Sequence, residues 1–112
     1  PIPSAADEDA AALSIPFATG ITDIDVSSQG MVRDLASRLN ADKALRVQLM
    51  AYATDPDKNT SKARRLALDR AIGIRNMLIE GGVERTRIEV RALGDQGEGG
   101  NLDRVDAVTV KR

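Results

Sequence analysis

Arg70 stands where a helix should carry an apolar residue. Read at about 100° per residue, residues 63 to 79 form a helix with Ala63, Leu66, Ala67, Ala71, Ile74, Met77 and Leu78 on one stripe. Arg70 falls in the middle of that stripe. A guanidinium stays charged in any protein environment, so turned toward a core it needs a carboxylate or an opening to solvent. An acid lies upstream at Asp55, at the end of Tyr52-Ala53-Thr54-Asp55 and just past an alternating stretch. We expect Asp55 and Arg70 to pair. On residues alone, the pair is either an ion pair closing a helix onto a strand end or the anchor of a binding site.

Those two residues must be positioned by their surroundings. Residues 44 to 52 alternate, with Leu45, Val47, Leu49 and Ala51 on one side and Arg46, Gln48, Met50 and Tyr52 on the other, as in a half-buried strand. Residues 53 to 60 (ATDPDKNT) are rich in turn formers, and Thr60 or Ser61 can cap the helix that follows. That helix ends near Glu80, with Gly81 and Gly82 as its left-handed cap. Upstream, residues 13 to 18 (LSIPFA) predict a short edge strand, since Pro16 cannot serve a central ladder. Ser27 or Ser28 caps a first helix with Met31, Val32, Leu35, Ala36 and Leu39 on one face, ending near Leu39 with Asn40 as its stop. Downstream, Ile88, Val90 and Ala92 alternate inward. Residues 94 to 103 form a flexible loop, and residues 104 to 111 give a last strand. Val105, Val108 and Val110 do not share a parity there, so a bulge is a candidate explanation.

The expected fold is α+β: a two-layer α/β sandwich in the order β-α-β-α-β-β, with two helices on one face of a four-stranded mixed sheet. Residues 1–12 (PIPSAADEDAAA) read as a linker or tail and residues 13–112 as the domain. The chain has 112 residues, enough for one core. A formal charge of −1 gives no reason to expect nucleic acid or an anionic membrane surface. With no cysteine and no histidine, disulfides, thiolate metal sites and the commonest general base are all excluded. No apolar run approaches the roughly 20 residues that span a bilayer, so a membrane is reached only through parts outside this chain. The chain starts at Pro1 with no initiator methionine and is read as a fragment or processed product.

The residues also follow a known pattern. Tyr52-Ala53-Thr54-Asp55 stands where the OmpA-like domain family has G-H-T-D, and Ala63 to Ala71 (ARRLALDRA) where it has N-x-x-L-S-x-x-R-A, without a gap between. Gly82 to Ile88 (GVERTRI) is similar to the family's G-[IV]-x-x-x-R-[IV] link. Ala92-Leu93-Gly94-Asp95 matches G-x-G-E, and Asn101 to Val105 (NLDRV) lies near N-R-R-V. Phe17 fits the family's first-strand phenylalanine. The chain thus resembles the OmpA-like domain, a peptidoglycan-binding module, over about residues 13 to 111.

The resemblance implies non-covalent binding of the diaminopimelate of the peptidoglycan stem peptide. Arg70 would take its carboxylate, and Asp55 its ammonium or the orientation of Arg70. Backbone amides at the second helix start would supply further donors. The ligand-binding set is Asp55, Arg70, Thr54, Asp57, Asn59 and Arg104, with no metal, no cofactor and no catalysis. The module would tether an envelope protein to the wall, in the periplasm or cell envelope of a Gram-negative bacterium. The alternative is a degenerate OmpA-like domain that serves protein–protein interaction or dimerisation among envelope proteins. Departures from the pattern leave three outcomes open: weaker binding, a different cell-wall fragment, or loss of the ligand with the fold kept. Tyr52 and Ala53 replace the glycine and histidine, and Ala63 and Ala67 replace the asparagine and serine. Lys58 stands where the loop glycine often lies, and Asp103 replaces the first arginine of R-R-V. Lys62, Arg64 and Arg65 read as a solvated basic face. Asp55, Asp57 and Asn59 do not make a calcium loop, because Thr60 and Leu66 stand where its glycine and bidentate glutamate belong.

Overall fold

The alternating segments pair as strands and the periodic ones pack across them. The computed structural model describes residues 11–18, 20–55, 57–95 and 103–111. Along them run β1 (Ala11–Pro16), α1 (Val26–Ala41), β2 (Leu45–Tyr52), α2 (Thr60–Glu80), a 3-10 turn (Arg85–Arg87), β3 (Ile88–Gly94) and β4 (Arg104–Lys111). The sheet order is β1-β4-β2-β3. β4 runs antiparallel to both β1 and β2, while β2 and β3 are parallel and joined by the α2 crossover. Both helices lie on one face of this mixed sheet, as expected. No helix among the described residues is long and apolar enough to cross a membrane.

The core between the layers is aliphatic. Val47, Leu49 and Ala51 of β2 meet Val32, Leu35 and Leu39 of α1 and Ala67, Ala71, Ile74 and Leu78 of α2. The small residues Ala63, Ala67 and Ala71 let α2 lie close to the sheet. In β4 the parity question has a definite answer. Val105, Ala107 and Thr109 face the core, and no register shift interrupts the pairing of β4 with β1 or β2. Val108 and Val110 sit on the open face, which is half-buried. The irregularity lies elsewhere: the β2–β3 register shifts between Ala51 and Tyr52.

Several boundaries move. β1 begins at Ala11, because Ala11 and Ala12 pair with Thr109 and Val108 of β4. The rest of the expected tail, residues 1–10, and most of the expected glycine-rich connection, residues 96–102, lie outside the described residues. α1 starts at Val26 behind Asp25 and runs to Ala41, so Asn40 is no stop. Its side-chain amide instead donates to the Gly81 carbonyl at 2.8 Å. The cap of α2 is Asn59, whose side chain accepts from the Lys62 amide at 3.1 Å, ahead of both residues expected to cap it. At the other end, Val83 and Gly82 donate to Leu78 and Ile79, which is the Schellman arrangement. Only Gly82 is left-handed, with φ +99°, whereas Gly81 stays at −79°.

Arg87 joins the layers at the end far from Asp55. It is buried in the 3-10 turn, and its Nη2 lies 2.7, 2.9 and 2.7 Å from the carbonyl oxygens of Leu39, Asp42 and Leu45. Its Nε donates to Leu45 at 3.0 Å. A cation there satisfies carbonyls left over at the C-terminus of α1. Its Nη1 is buried without a partner, which offsets part of the gain. Replacing Arg87 by Met should therefore cost about 2 kcal/mol in urea unfolding at neutral pH. A loss below about 0.5 kcal/mol would mean that water takes over those carbonyls.

Candidate functional site

Arg70 does sit inside the molecule, and the structure shows what holds it there. The residue is fully enclosed, at 0% exposure. Its Nε donates to the Ile21 carbonyl at 2.8 Å and its Nη2 to the Ala18 carbonyl at 2.9 Å. Its Nη1 donates to the Tyr52 carbonyl at 3.0 Å and to Oδ1 of Asp103 at 2.9 Å. The guanidinium also lies 4.9 Å from the centre of the Phe17 ring. One side chain thus ties the β1–α1 connection, the end of β2 and the entry to β4 onto α2.

The carboxylate partner is Asp103, not Asp55. Asp103 is buried, and its two oxygens accept the Thr54 amide at 3.2 Å and the Thr54 hydroxyl at 2.8 Å besides the Arg70 bond. Its backbone carbonyl accepts from Phe17 at 3.0 Å. Burial pushes its carboxyl pKa up. Hydrogen bonds from Arg70 and from the hydroxyl and amide of Thr54, with the Arg70 charge, outweigh that and hold it below its ordinary value. The expected Asp55–Arg70 contact is therefore corrected. β4 enters the sheet beside the end of β2, with Arg104 opposite Tyr52, and this delivers the preceding Asp103 to Arg70 first.

Asp55 does different work. Its Oδ2 accepts the backbone amides of Asp57 and Asn59, each at 3.1 Å, and its carbonyl accepts from Lys58 at 2.8 Å. The carboxylate thereby shapes the turn that leads into α2. Among the described residues its other oxygen has no partner, and the residue is half-buried. Lys58 adopts φ +55°, the left-handed region that glycine would occupy without strain, so Asn59 is left free to cap the helix. Asp57, Asn59 and Thr60 are exposed around Asp55, and the Thr60 hydroxyl lies 3.5 Å from Asp95. Thr54 faces inward onto Asp103.

The structure therefore brings Thr54, Asp55, Asp57 and Asn59 together at the helix start, with Arg70 beneath them rather than among them. Arg104 is not brought in. It bonds Asp106, with a closest contact of 3.1 Å, and stacks 4.2 Å from the Tyr52 ring centre. Strand alternation places Tyr52 and Arg104, which pair across β2 and β4, on the sheet face opposite the core-facing Ala51 and Val105. Two residues central to the site were not singled out as such from the sequence. Asp103 is one; its signal was an acid at a family arginine position, within reach of a buried cation. Gly94 is the other. At φ +60°, a Cβ on it would come within 3.0 Å of both the Cα and the N of Arg64, so only glycine lets β3 approach the start of α2 this closely. Among the described residues, no acidic cluster is assembled that could hold a metal ion.

Comparison with known proteins places the fold. The model of the OmpA family matches residues 16–104. No curated protein matches the chain. Among solved structures, the OmpA-like domain of FopA1 from Francisella tularensis subsp. tularensis SCHU S4 superposes with a TM-score of 0.80 at 15% identity, over 91% of this chain and 73% of that one. The peptidoglycan-associated lipoprotein from Burkholderia pseudomallei gives 0.77 at 20% identity, over 86% and 88%. The periplasmic domain of Helicobacter pylori MotB gives 0.73 at 14% identity, over 93% and 78%. At these identities the solved structures speak for the fold, and the family match covers most of the chain. The chain belongs to the OmpA family.

Proposed function

We propose that this domain binds peptidoglycan non-covalently through the diaminopimelate of the stem peptide and tethers an envelope protein to the wall on the periplasmic side. The observation that carries the reading is the Asp55 carboxylate. One of its oxygens is fixed by two backbone amides and the other has no partner among the described residues, in a turn that leads directly into the N-terminus of a 21-residue helix. A diaminopimelate end group carries an ammonium and a carboxylate on one carbon. The second oxygen of Asp55 suits the ammonium, and the helix N-terminus suits the carboxylate. Arg70 acts as a positioning residue here, because its guanidinium is spent on the carbonyls of Ala18, Ile21 and Tyr52 and on Asp103, which in turn holds Thr54 next to Asp55. Family membership supports the reading. So does the fold shared with one protein named for peptidoglycan association and with a periplasmic domain.

The test is co-sedimentation with purified sacculi, wild type against Asp55→Asn. Asparagine keeps an oxygen for the two amides, so the turn survives while the charge is lost. The substitution should weaken binding about tenfold or more, as expected for one charge-assisted contact. A soluble stem peptide carrying diaminopimelate should compete, and one carrying lysine in its place should not. Equal binding by both proteins would remove Asp55 from the site.

The enclosure of Arg70 favours a second reading, in which the domain keeps the fold and serves protein–protein contact without a wall ligand. Absence of wild-type binding to sacculi would select it.

A further inference from the structure

Between the end of β1 and the lead-in to α1 lies a hollow of about 420 Å³. Phe17 and Ala18 line it from the strand side, and Ile21, Ile24, Asp23 and Asp25 from the other. The two sides are held together. The Ile21 amide donates to the Ala18 carbonyl at 3.0 Å, and Arg70 grips the carbonyls of both residues. The Gln29 side chain donates to the Ile24 carbonyl at 3.1 Å, and the Ile24 side chain reaches α2 beside Gly73. The hollow is therefore built before anything fills it. Asp23 and Asp25 are exposed, and neither meets a cation among the described residues. Asp25 stands at the N-cap position of α1 yet makes no side-chain cap; it accepts the Ser27 hydroxyl instead.

A complementary surface stands on the other flank of α2. Read at about 100° per residue, Leu68 lies about 140° around the helix from Gly73, the residue that meets Ile24. Arg64 and Arg65 precede Leu68 by four and three places, so they adjoin it on one convex ridge. Both are exposed, and neither makes an ion pair among the described residues. The acid of this stretch, Asp69, lies on the far side of Arg65 from Leu68. The large apolar side chains exposed among the described residues all belong to these two surfaces. Ile21, at 46%, lines the hollow, Val26, at 80%, follows Asp25, and Leu68, at 40%, crowns the ridge.

We infer that the two surfaces are the halves of one contact between copies of this chain. Leu68 of one copy enters the hollow of a second, and Arg64 and Arg65 come to face Asp23 and Asp25. Charge complementarity selects the occupant: an apolar tip beside two free cations meets an apolar hollow with two free anions. A guanidinium can grip either carboxylate bidentately. Because the halves differ and lie on different flanks of α2, the contact is heterologous, and each copy can give and receive at once. It is small, so the association is weak. No wall ligand takes part, so the contact stands or falls separately from the peptidoglycan reading.

The experiment is sedimentation equilibrium on wild type and on two charge-reversed variants, Asp23→Lys/Asp25→Lys and Arg64→Glu/Arg65→Glu. All four positions are exposed, and circular dichroism checks that the fold is kept. Wild type should associate as its concentration rises through about 0.1 to 1 mM, and less so as salt is added. Each variant alone sets like charges against each other at the contact and should associate about tenfold more weakly, or less. An equimolar mixture of the two should associate again, because every junction between unlike variants carries opposite charges. Leu68→Ser leaves all the charges in place and should weaken wild-type association several-fold. Wild type that stays monomeric at about 1 mM would overturn the contact. So would association that survives either reversal, or a mixture that associates no more than its components.

Discussion

Arg70→Leu should destabilise the domain by about 4 kcal/mol, within the range for removing one partner of a buried ion pair. Leucine suits the stripe by volume and polarity, yet it leaves the buried Asp103 carboxylate without its cation. The carbonyls of Ala18, Ile21 and Tyr52 lose their donor as well. The identity of the partner can be measured. If Asp103 is the group left behind, then Asp103→Asn in the Arg70→Leu background should recover about 1–2 kcal/mol, because a neutral amide keeps the Thr54 contacts without a buried charge. Additive effects of the two substitutions would disprove the pairing. The same pair sets an acid limit. The Asp103 carboxyl titrates lower in the folded chain than in the unfolded one, so its contribution is fully present above the ordinary carboxylate value. It is lost as pH falls through the lowered folded value. Below about pH 4 the wild type should lose stability more steeply than Asp103→Asn, which is weaker at neutral pH but has no such group to protonate. Arg70→Leu is therefore a probe of folding. A loss of wall binding in it would not separate contact from scaffold, and Asp55 is the residue on which the functional test should rest.

The need of Arg70 for a carboxylate was legible because a helix has a fixed period, and one cation in an apolar stripe is conspicuous. Its partner was not, because the choice between Asp55 and Asp103 is made by strand pairing. Asp55 is near in sequence and sits at the family position, but its carboxylate is consumed locally by two amides of its own turn. Asp103 is 33 residues away, and the antiparallel register of β4 on β2 carries it in. The element order was legible for the same reason as the helix stripe: β2 and β3 alternate and the helices are amphipathic. β4 was ambiguous because valine serves both faces of a sheet whose open side is half-buried, while a threonine took an inward place. Arg87 is legible only as the arginine of the link into β3, because nothing in the sequence around it marks the carbonyls of Leu39, Asp42 and Leu45 that it reaches.

Gly94→Val should cost about 3–4 kcal/mol and disturb the Asp55 loop, although residue 94 touches no candidate ligand group. Two strains add. The residue holds φ +60°, which alone costs a side-chain-bearing residue about 1 kcal/mol. The first carbon of any side chain would also lie 3.0 Å from the Arg64 backbone. Backbone cannot swing aside as a flexible side chain does, so α2 must move outward by a few tenths of an ångström. Alanine should cost about 2 kcal/mol on this argument, and valine more through its branch. The direction of that movement matters for function. The Gly94 carbonyl accepts the Ala53 amide at 2.9 Å, just before Thr54 and Asp55, while the helix that is displaced begins at the Asn59 cap. Pushing α2 from β3 thus separates the strand end that carries Asp55 from the helix start that faces it. In Gly94→Ala, amide resonances of residues 57 to 65 should shift together, and sacculus binding should fall by more than the unfolded fraction explains. A variant within about 0.5 kcal/mol of wild type, with unshifted loop resonances, would show that the helix gives way without cost and that the close approach does not position the site.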